Sequence, residues 1–143
     1  MDWTFSKLRE TREPDFIIGN NYLRRWWIIP RNRIFNIYLH EINKSDDDRA
    51  LHDHPWWNCS IILKGGYKEV TPKGTFLRKA GQMIFRSGKS LHRLVIPKGG
   101  HGVTLFITGP RYREWGFACP KGWRTWQEFC SPDNKGKVGR GCD

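Results

Sequence analysis

Two histidines one residue apart are the first residues in this chain that could do chemistry. In Ala50-Leu51-His52-Asp53-His54-Pro55-Trp56-Trp57 the pair His52 and His54 is set among apolar and aromatic neighbours. Residues two apart on an extended strand face the same side, so both imidazoles converge on one point. Two imidazoles do not complete a coordination sphere, and a further ligand has to come from elsewhere. His92, in Ser90-Leu91-His92-Arg93-Leu94, opens another apolar run and is the candidate. Neutral imidazole suits iron, zinc, copper and nickel, whereas an all-oxygen shell suits magnesium or calcium. Asp53 should point to the opposite face, as a solvated or supporting group rather than a ligand. The competing reading of His52 and His54 is a hydrogen-bonded surface pair at a strand end.

Holding three such side chains together requires elements that bring distant segments side by side. Candidate strands run over Tyr22–Ile29, Ile34–Ile42, Asn58–Leu63, Gly66–Thr71, Thr75–Lys79, Gln82–Arg86, His92–Ile96, Val103–Thr108 and Glu114–Phe117. Lys64-Gly65-Gly66-Tyr67, Pro72-Lys73-Gly74 and Lys98-Gly99-Gly100 supply turn chemistry between them. Helix signals are weak, with one or two turns over Ser6–Glu13. Many short strands at regular spacing mean a sandwich or a barrel. The chain has 143 residues, enough for one domain with a buried core. From Ser131 the sequence is polar and glycine-rich, so a single domain over 1–130 and a mobile tail over 131–143 are expected.

The histidine spacing resembles the cupin pattern: a His-x-His pair, an acidic residue a few positions later, then glycine, then a later histidine. Here His52 and His54 are followed by Asn58, Gly65, Gly81 and His92. The resemblance covers roughly Phe35 to Pro110 and departs at one ligand, since Asn58 occupies the usual acid position. It implies an all-β cupin double-stranded β-helix, a jelly-roll-like barrel with little helix, and a three-histidine metal site. Within the cupins the chain resembles the cysteine dioxygenase group of thiol dioxygenases. His52-Asp53-His54 leads to Cys59, and Leu91-His92-Arg93 surrounds the third histidine. That resemblance implies iron(II) on the three histidines and places Arg25 where the family holds a substrate carboxylate. It departs at the proton-handling trio, whose tyrosine, serine and histidine would fall near Thr108, Thr104 and Phe106. Unless Tyr112 or His101 substitutes, the trio is missing, so the metal site is better supported than cysteine oxidation.

Around the triad, Trp56 and Trp57 are expected to wall a pocket that keeps water out. Asn58 could hydrogen-bond a bound water or substrate. Cys59 reads first as a small buried hydrophobe, with facing the site as the alternative. Arg25, Arg86 or Arg93 could hold an acidic group. His40 could line the barrel, while His101 lies in a turn. Trp115, Trp123 and Trp126, with Phe117 and Phe129, read as a cluster closing the C-terminal segment on the barrel. Asp46-Asp47-Asp48 is either a solvated loop or a rim that repels anions. Tyr22-Leu23-Arg24-Arg25-Trp26-Trp27, with Arg31 and Arg33, interleaves cations and rings, as single-stranded nucleic acid sites do. The same string suits an edge strand with a basic outer and an aromatic inner face, and Arg111-Tyr112-Arg113 carries the same ambiguity.

A net charge of +11 favours anionic partners, with solubility as the competing reading, and the eight tryptophans read by default as packing. No run of about 18 apolar residues supports a membrane span, and the N-terminal residues lack the apolar stretch of a signal peptide, so a cytoplasmic protein is expected. In that compartment Cys59, Cys119, Cys130 and Cys142 should be thiols, and without a CxxC pair they do not form a four-cysteine zinc site. These features lead to a metal-binding cupin with one divalent metal: iron(II) first, then zinc, nickel or manganese. The leading function is an iron(II)-dependent oxygenase acting on a small anionic molecule. The alternatives are a non-catalytic cupin that binds a ligand, nucleic acid or an acidic partner, and a metal-dependent isomerase or epimerase with His40, Tyr38 or Glu69 as base. A homodimer through edge strands is a further expectation.

Overall fold

The computed structural model describes residues 3–18, 22–45, 50–97, 99–133 and 139–142. The elements in chain order are α1 (Trp3–Thr11), β1 (Phe16–Ile18), β2 (Leu23–Trp27), β3 (Asn36–Ile42), β4 (Leu51–His52), β5 (Asn58–Thr71) and β6 (Gly74–Lys79). They continue with β7 (Met83–Arg86), β8 (Arg93–Val95), β9 (Gly102–Thr108), β10 (Gly116–Cys119), β11 (Gly122–Thr125) and α2 (Trp126–Phe129). One curled sheet has the order β1-β2-β3-β9-β5-β6, with β7 and β8 also paired to β5, and a smaller sheet has the order β11-β10-β4. Every pairing is antiparallel. The expected all-β barrel with little helix is therefore present. No helix among the described residues is long and apolar enough to cross a membrane. Asp46, Asp47 and Asp48 lie outside the described residues.

Alternation along the strands builds the interior. Arg25 pairs with His40, which pairs with Thr104, and Trp27 pairs with Tyr38, which pairs with Phe106, which pairs with Ser60. These rows share the inner face, because successive side chains on a strand point to opposite sides. One end of the barrel closes on Leu23, Ile42, Ile62, Tyr67, Leu94 and Ile96. The outer face of β2, β3 and β9 carries Trp26, Leu39 and Val103, packed with Phe5 and Leu8 of α1. Against the expected basic outer and aromatic inner face, each face of β2 carries one arginine and one tryptophan: Arg24 and Trp26 outside, Arg25 and Trp27 inside. Trp26 is the buried ring under α1, with its Nε1 donating to the carbonyl of Arg12, and Arg25 lines the interior. The helix itself begins earlier than the expected Ser6–Glu13 span.

Gly65 and Gly66 are not a turn. They lie within one long strand, β5, whose register shifts between Ile62 and Lys64 as it passes from β9 toward β6 and β8. Gly65 has φ of 66°, and a Cβ there would run into the carbonyl oxygen of His101. Only glycine combines that backbone conformation with so close an approach. Gly65→Ala is expected to lower stability by about 2 kcal/mol, read as a shift in urea midpoint with unchanged slope.

The cysteine expectation is corrected. Cys119 and Cys142 form a disulfide with Cα atoms 5.5 Å apart, while Cys59 and Cys130 lie outside that bond. The cause is a return of the chain across α2: the N–H groups of Gly139 and Gly141 both donate to the carbonyl of Phe129. That return sets Cys142 against the end of β10. Residues 134–138 and 143 of the expected tail lie outside the described residues.

Candidate metal centre

His52 closes β4, and its backbone exchanges two hydrogen bonds with His92, each 2.9 Å. This bridge fixes the two rings at 4.7 Å between centroids. His54 lies just beyond β4, anchored where its N–H donates to Gly88 O at 2.9 Å, with its ring 5.3 Å from His52 and 4.9 Å from His92. The candidate ligand nitrogens of the three lie within 4.8 Å of one another. Asp53 between them points the other way, as expected. It accepts from Gly116 N at 2.7 Å and Trp123 Nε1 at 2.9 Å and pairs with Arg113 at 2.9 Å, which locks the turn carrying both histidines.

His92 is held from behind by Glu69, a residue that sequence reasoning raised only as an isomerase base. His92 Nδ1 and Glu69 Oε2 are 2.6 Å apart. Arg86 donates to both Glu69 oxygens at 2.7 and 3.0 Å, and Arg78 donates to Oε1 at 2.8 Å. Burial alone would raise the Glu69 carboxyl. The hydrogen bonds from His92 and Arg86 overcome this and hold it well below the usual carboxylate range. An ionised Glu69 accepts the His92 Nδ1 proton, so the Nε2 lone pair is left for an ion, the usual arrangement behind a ligating histidine. The sequence did contain a signal: Glu69 has the same strand parity as the buried Tyr67.

Burial lowers the pKa of His54 well below its ordinary value, with His92 and His52 adding to the effect. Burial likewise lowers His92 to about 3, although Glu69 pulls it upward. Neutral imidazoles are the form a metal binds. His54 Nδ1 is buried with no hydrogen-bond partner among the described residues, an arrangement that costs about 1–3 kcal/mol unless something else satisfies it. A preorganised set of three imidazoles, with His54 and His92 held neutral by burial and one such orphaned atom, fits a divalent metal.

The triad opens on a cavity of about 570 Å³. Trp56 lines it and stacks on His54 with centroids 5.5 Å apart and planes at 20°. Trp57, one residue on, points outward and stacks on Phe85. Asn58 is buried behind the wall, its Oδ1 accepting from Arg86, and is not among the lining residues. Cys59 is half-buried on the outer face, opposite Phe85 and Ile107. Arg93 follows His92 and does not line the cavity, nor do His101 and Tyr112. Arg86 lines it but is spent on Glu69, Ser60 and Asn58. Trp115 and Phe117 form the wall beside His52, backed by Trp126 and Phe129, so the expected closing cluster is present except for Trp123, which is exposed and instead donates to Asp53.

Arg25 and His40 share the other end of the cavity. Arg25 Nε donates to His40 Nε2 at 2.9 Å, and its guanidinium lies 4.4 Å from the centre of the Tyr38 ring. Burial lowers the Arg25 pKa to about 10, Arg31 adds to this and Tyr38 opposes it. Burial and Arg25 together hold His40 neutral, and its ring stacks on Phe106 at 4.8 Å.

No family model and no curated protein matches the sequence. Solved structures do match the fold. The polyketide cyclase RemF from Streptomyces resistomycificus is 23% identical, with a TM-score of 0.54 over 69% of this chain and 70% of that one. A Cupin 2 conserved barrel domain protein from Salinispora arenicola is 18% identical, with a TM-score of 0.51 over 68% and 86%. FeII HppE is 15% identical, with a TM-score of 0.52 over 64% and 53%. At these identities the likeness speaks for architecture, and together with the strand order above it gives this chain the cupin double-stranded β-helix.

Proposed function

We propose that this chain is a metal-dependent cupin enzyme that oxidises a small anionic molecule, with iron(II) as its metal. The observation that carries the reading is a cavity with three histidines at one end and, at the other, a half-buried arginine without a carboxylate partner among the described residues. Iron(II) on His52, His54 and His92 would supply dioxygen chemistry at the positions not taken by protein nitrogen. Glu69 fixes the tautomer of His92, and Asp53 fixes the turn that aims His52 and His54. Arg25 neutralises and orients the anion. Trp56, Trp115 and Phe117 exclude water from the triad. That one structural neighbour is FeII HppE supports iron as the first metal to test.

The cysteine dioxygenase-like reading rests on sequence spacing, and we do not extend the proposal to thiols. Cys59 faces outward, and no tyrosine stands in at Thr108. An isomerase needs an unengaged base beside the metal. Glu69 is locked by Arg86 and His92, Tyr38 is covered by Arg25, and His40 Nε2 accepts from Arg25.

The test is to purify the protein untagged under low oxygen and measure bound metals by mass spectrometry beside His52→Ala/His92→Ala. About one iron per chain, absent from the variant, is expected from a single site with three nitrogen ligands. Iron-loaded protein should then consume oxygen with one or more members of a panel of small carboxylates. No metal after reconstitution removes the site. Zinc or nickel alone, or loaded iron that never consumes oxygen, removes the oxygenase.

A further inference from the structure

We propose that the molecule this cavity selects is an aromatic carboxylate, its acid on Arg25 and its ring between Trp56, Phe106 and Trp115. This rests on the reading of the cavity as the site of an anionic substrate and names the class of that anion. Of the four arginines on the wall, Arg86 is paired with Glu69 and Arg111 with Glu114. Arg25 and Arg31 have no carboxylate partner among the described residues, and Asp133 is the single acid among the lining residues. A guanidinium inside a barrel with no counter-charge is an anion site, and its planar fork matches a carboxylate.

The acid and the metal lie at separate ends. From His40, which touches Arg25, one ring step of 4.8 Å reaches Phe106 and a second of 6.3 Å reaches His54. A molecule held at Arg25 that reaches toward the triad along this wall passes Phe106. Flat groups line that path. Trp56 meets Phe106 at 5.6 Å with planes at 67°, and Trp115 presents an edge to His52 at 6.3 Å. Faces and edges offered at such angles favour a flat ring over a saturated chain, because aromatic pairs gain from quadrupole alignment as well as from burial. The volume, about 570 Å³, is in the range of drug-sized ligand sites and suits one or two fused rings.

The test uses four probes by titration calorimetry: 2-naphthoate, cyclohexanecarboxylate, 2-naphthalenemethanol and acetate. The wild-type protein should bind 2-naphthoate at least about tenfold more tightly than each of the others. Arg25→Gln should weaken 2-naphthoate by at least about tenfold and leave 2-naphthalenemethanol unchanged, with Arg25→Lys intermediate. Trp56→Leu should narrow the gap between 2-naphthoate and cyclohexanecarboxylate. Equal affinity for the two acids overturns the aromatic assignment, and an affinity indifferent to both Arg25 variants overturns the anchor. Metal content is measured on every sample. Naphthoate binding at Arg25 in protein that takes up no metal would support this site while removing the oxygenase, so the two failures are distinct.

Discussion

Glu69→Ala is expected to cost about 3–5 kcal/mol of folding stability and to weaken metal binding by about 10–100-fold. Both effects come from one carboxylate with 2% of its surface exposed. Removing it leaves the Arg86 guanidinium, itself buried, with the neutral oxygens of Asn58, Ser60 and Tyr67 and no carboxylate. An unmatched buried cation is far costlier than a missing ion pair, so the loss of stability is dominated by Arg86. The loss of metal affinity is dominated by His92, whose Nδ1 no longer has an acceptor to fix its ring and tautomer. A second variant separates the two. Glu69→Leu/Arg86→Met removes both charges and should recover most of the stability while metal binding stays weak. Urea unfolding reads the first quantity and chelator competition the second. A Glu69→Ala protein within about 1 kcal/mol of wild type would mean that the buried pair is not the structural anchor described above.

Sequence reasoning reached the triad because its logic is local and geometric. Two side chains of equal parity flanking Asp53 must converge, and that held even though β4 ends at His52. It did not reach Glu69, because a carboxylate becomes a partner of His92 only once β5 has bent through Gly65 and Gly66 to pair with β8. The glycines there were ambiguous for a physical reason: turns and close backbone crossings both exclude a Cβ. Dividing β2 into a basic and an aromatic face failed, because Arg24-Arg25 and Trp26-Trp27 are adjacent pairs that alternation splits between both faces; alternation itself carries no information on which member of each pair is inside. The packing of α1 over Trp26 decided that and turned Arg25 inward. Trp56 and Trp57 show the same principle, since one lines the cavity and its neighbour cannot. The Cys119–Cys142 bond was out of reach because the prior for free thiols came from an assumed compartment, whereas the pairing comes from how residues 139–142 return over α2.

Acidifying the metal-free protein from pH 7 to pH 5 is expected to remove about 2 kcal/mol of stability through His92 alone. Burial, opposed in part by Glu69, lowers this imidazole in the fold to about 3, while in the unfolded chain it titrates near the ordinary 6.5. Between those values the unfolded chain binds a proton that the folded chain does not. Stability therefore rises with pH across that window and is lost as pH falls from about 6.5 toward 3. His54 and His40 are shifted in the same direction by the same burial and deepen the loss. Glu69 adds a further loss of the same sign below the ordinary carboxylate range, because protonating it breaks its bonds to Arg86 and His92. Urea melts at pH 7, 6 and 5 after chelator treatment measure the slope. A flat profile would mean that His92 already carries a proton in the fold and is not poised to donate a lone pair. His40 lies outside the triad, so His40→Gln should shallow the slope in metal-free protein and leave metal affinity unchanged. In metal-saturated protein the same acid limb should shift with metal concentration, since protons and the ion compete for the same nitrogens and only the folded chain holds those nitrogens together.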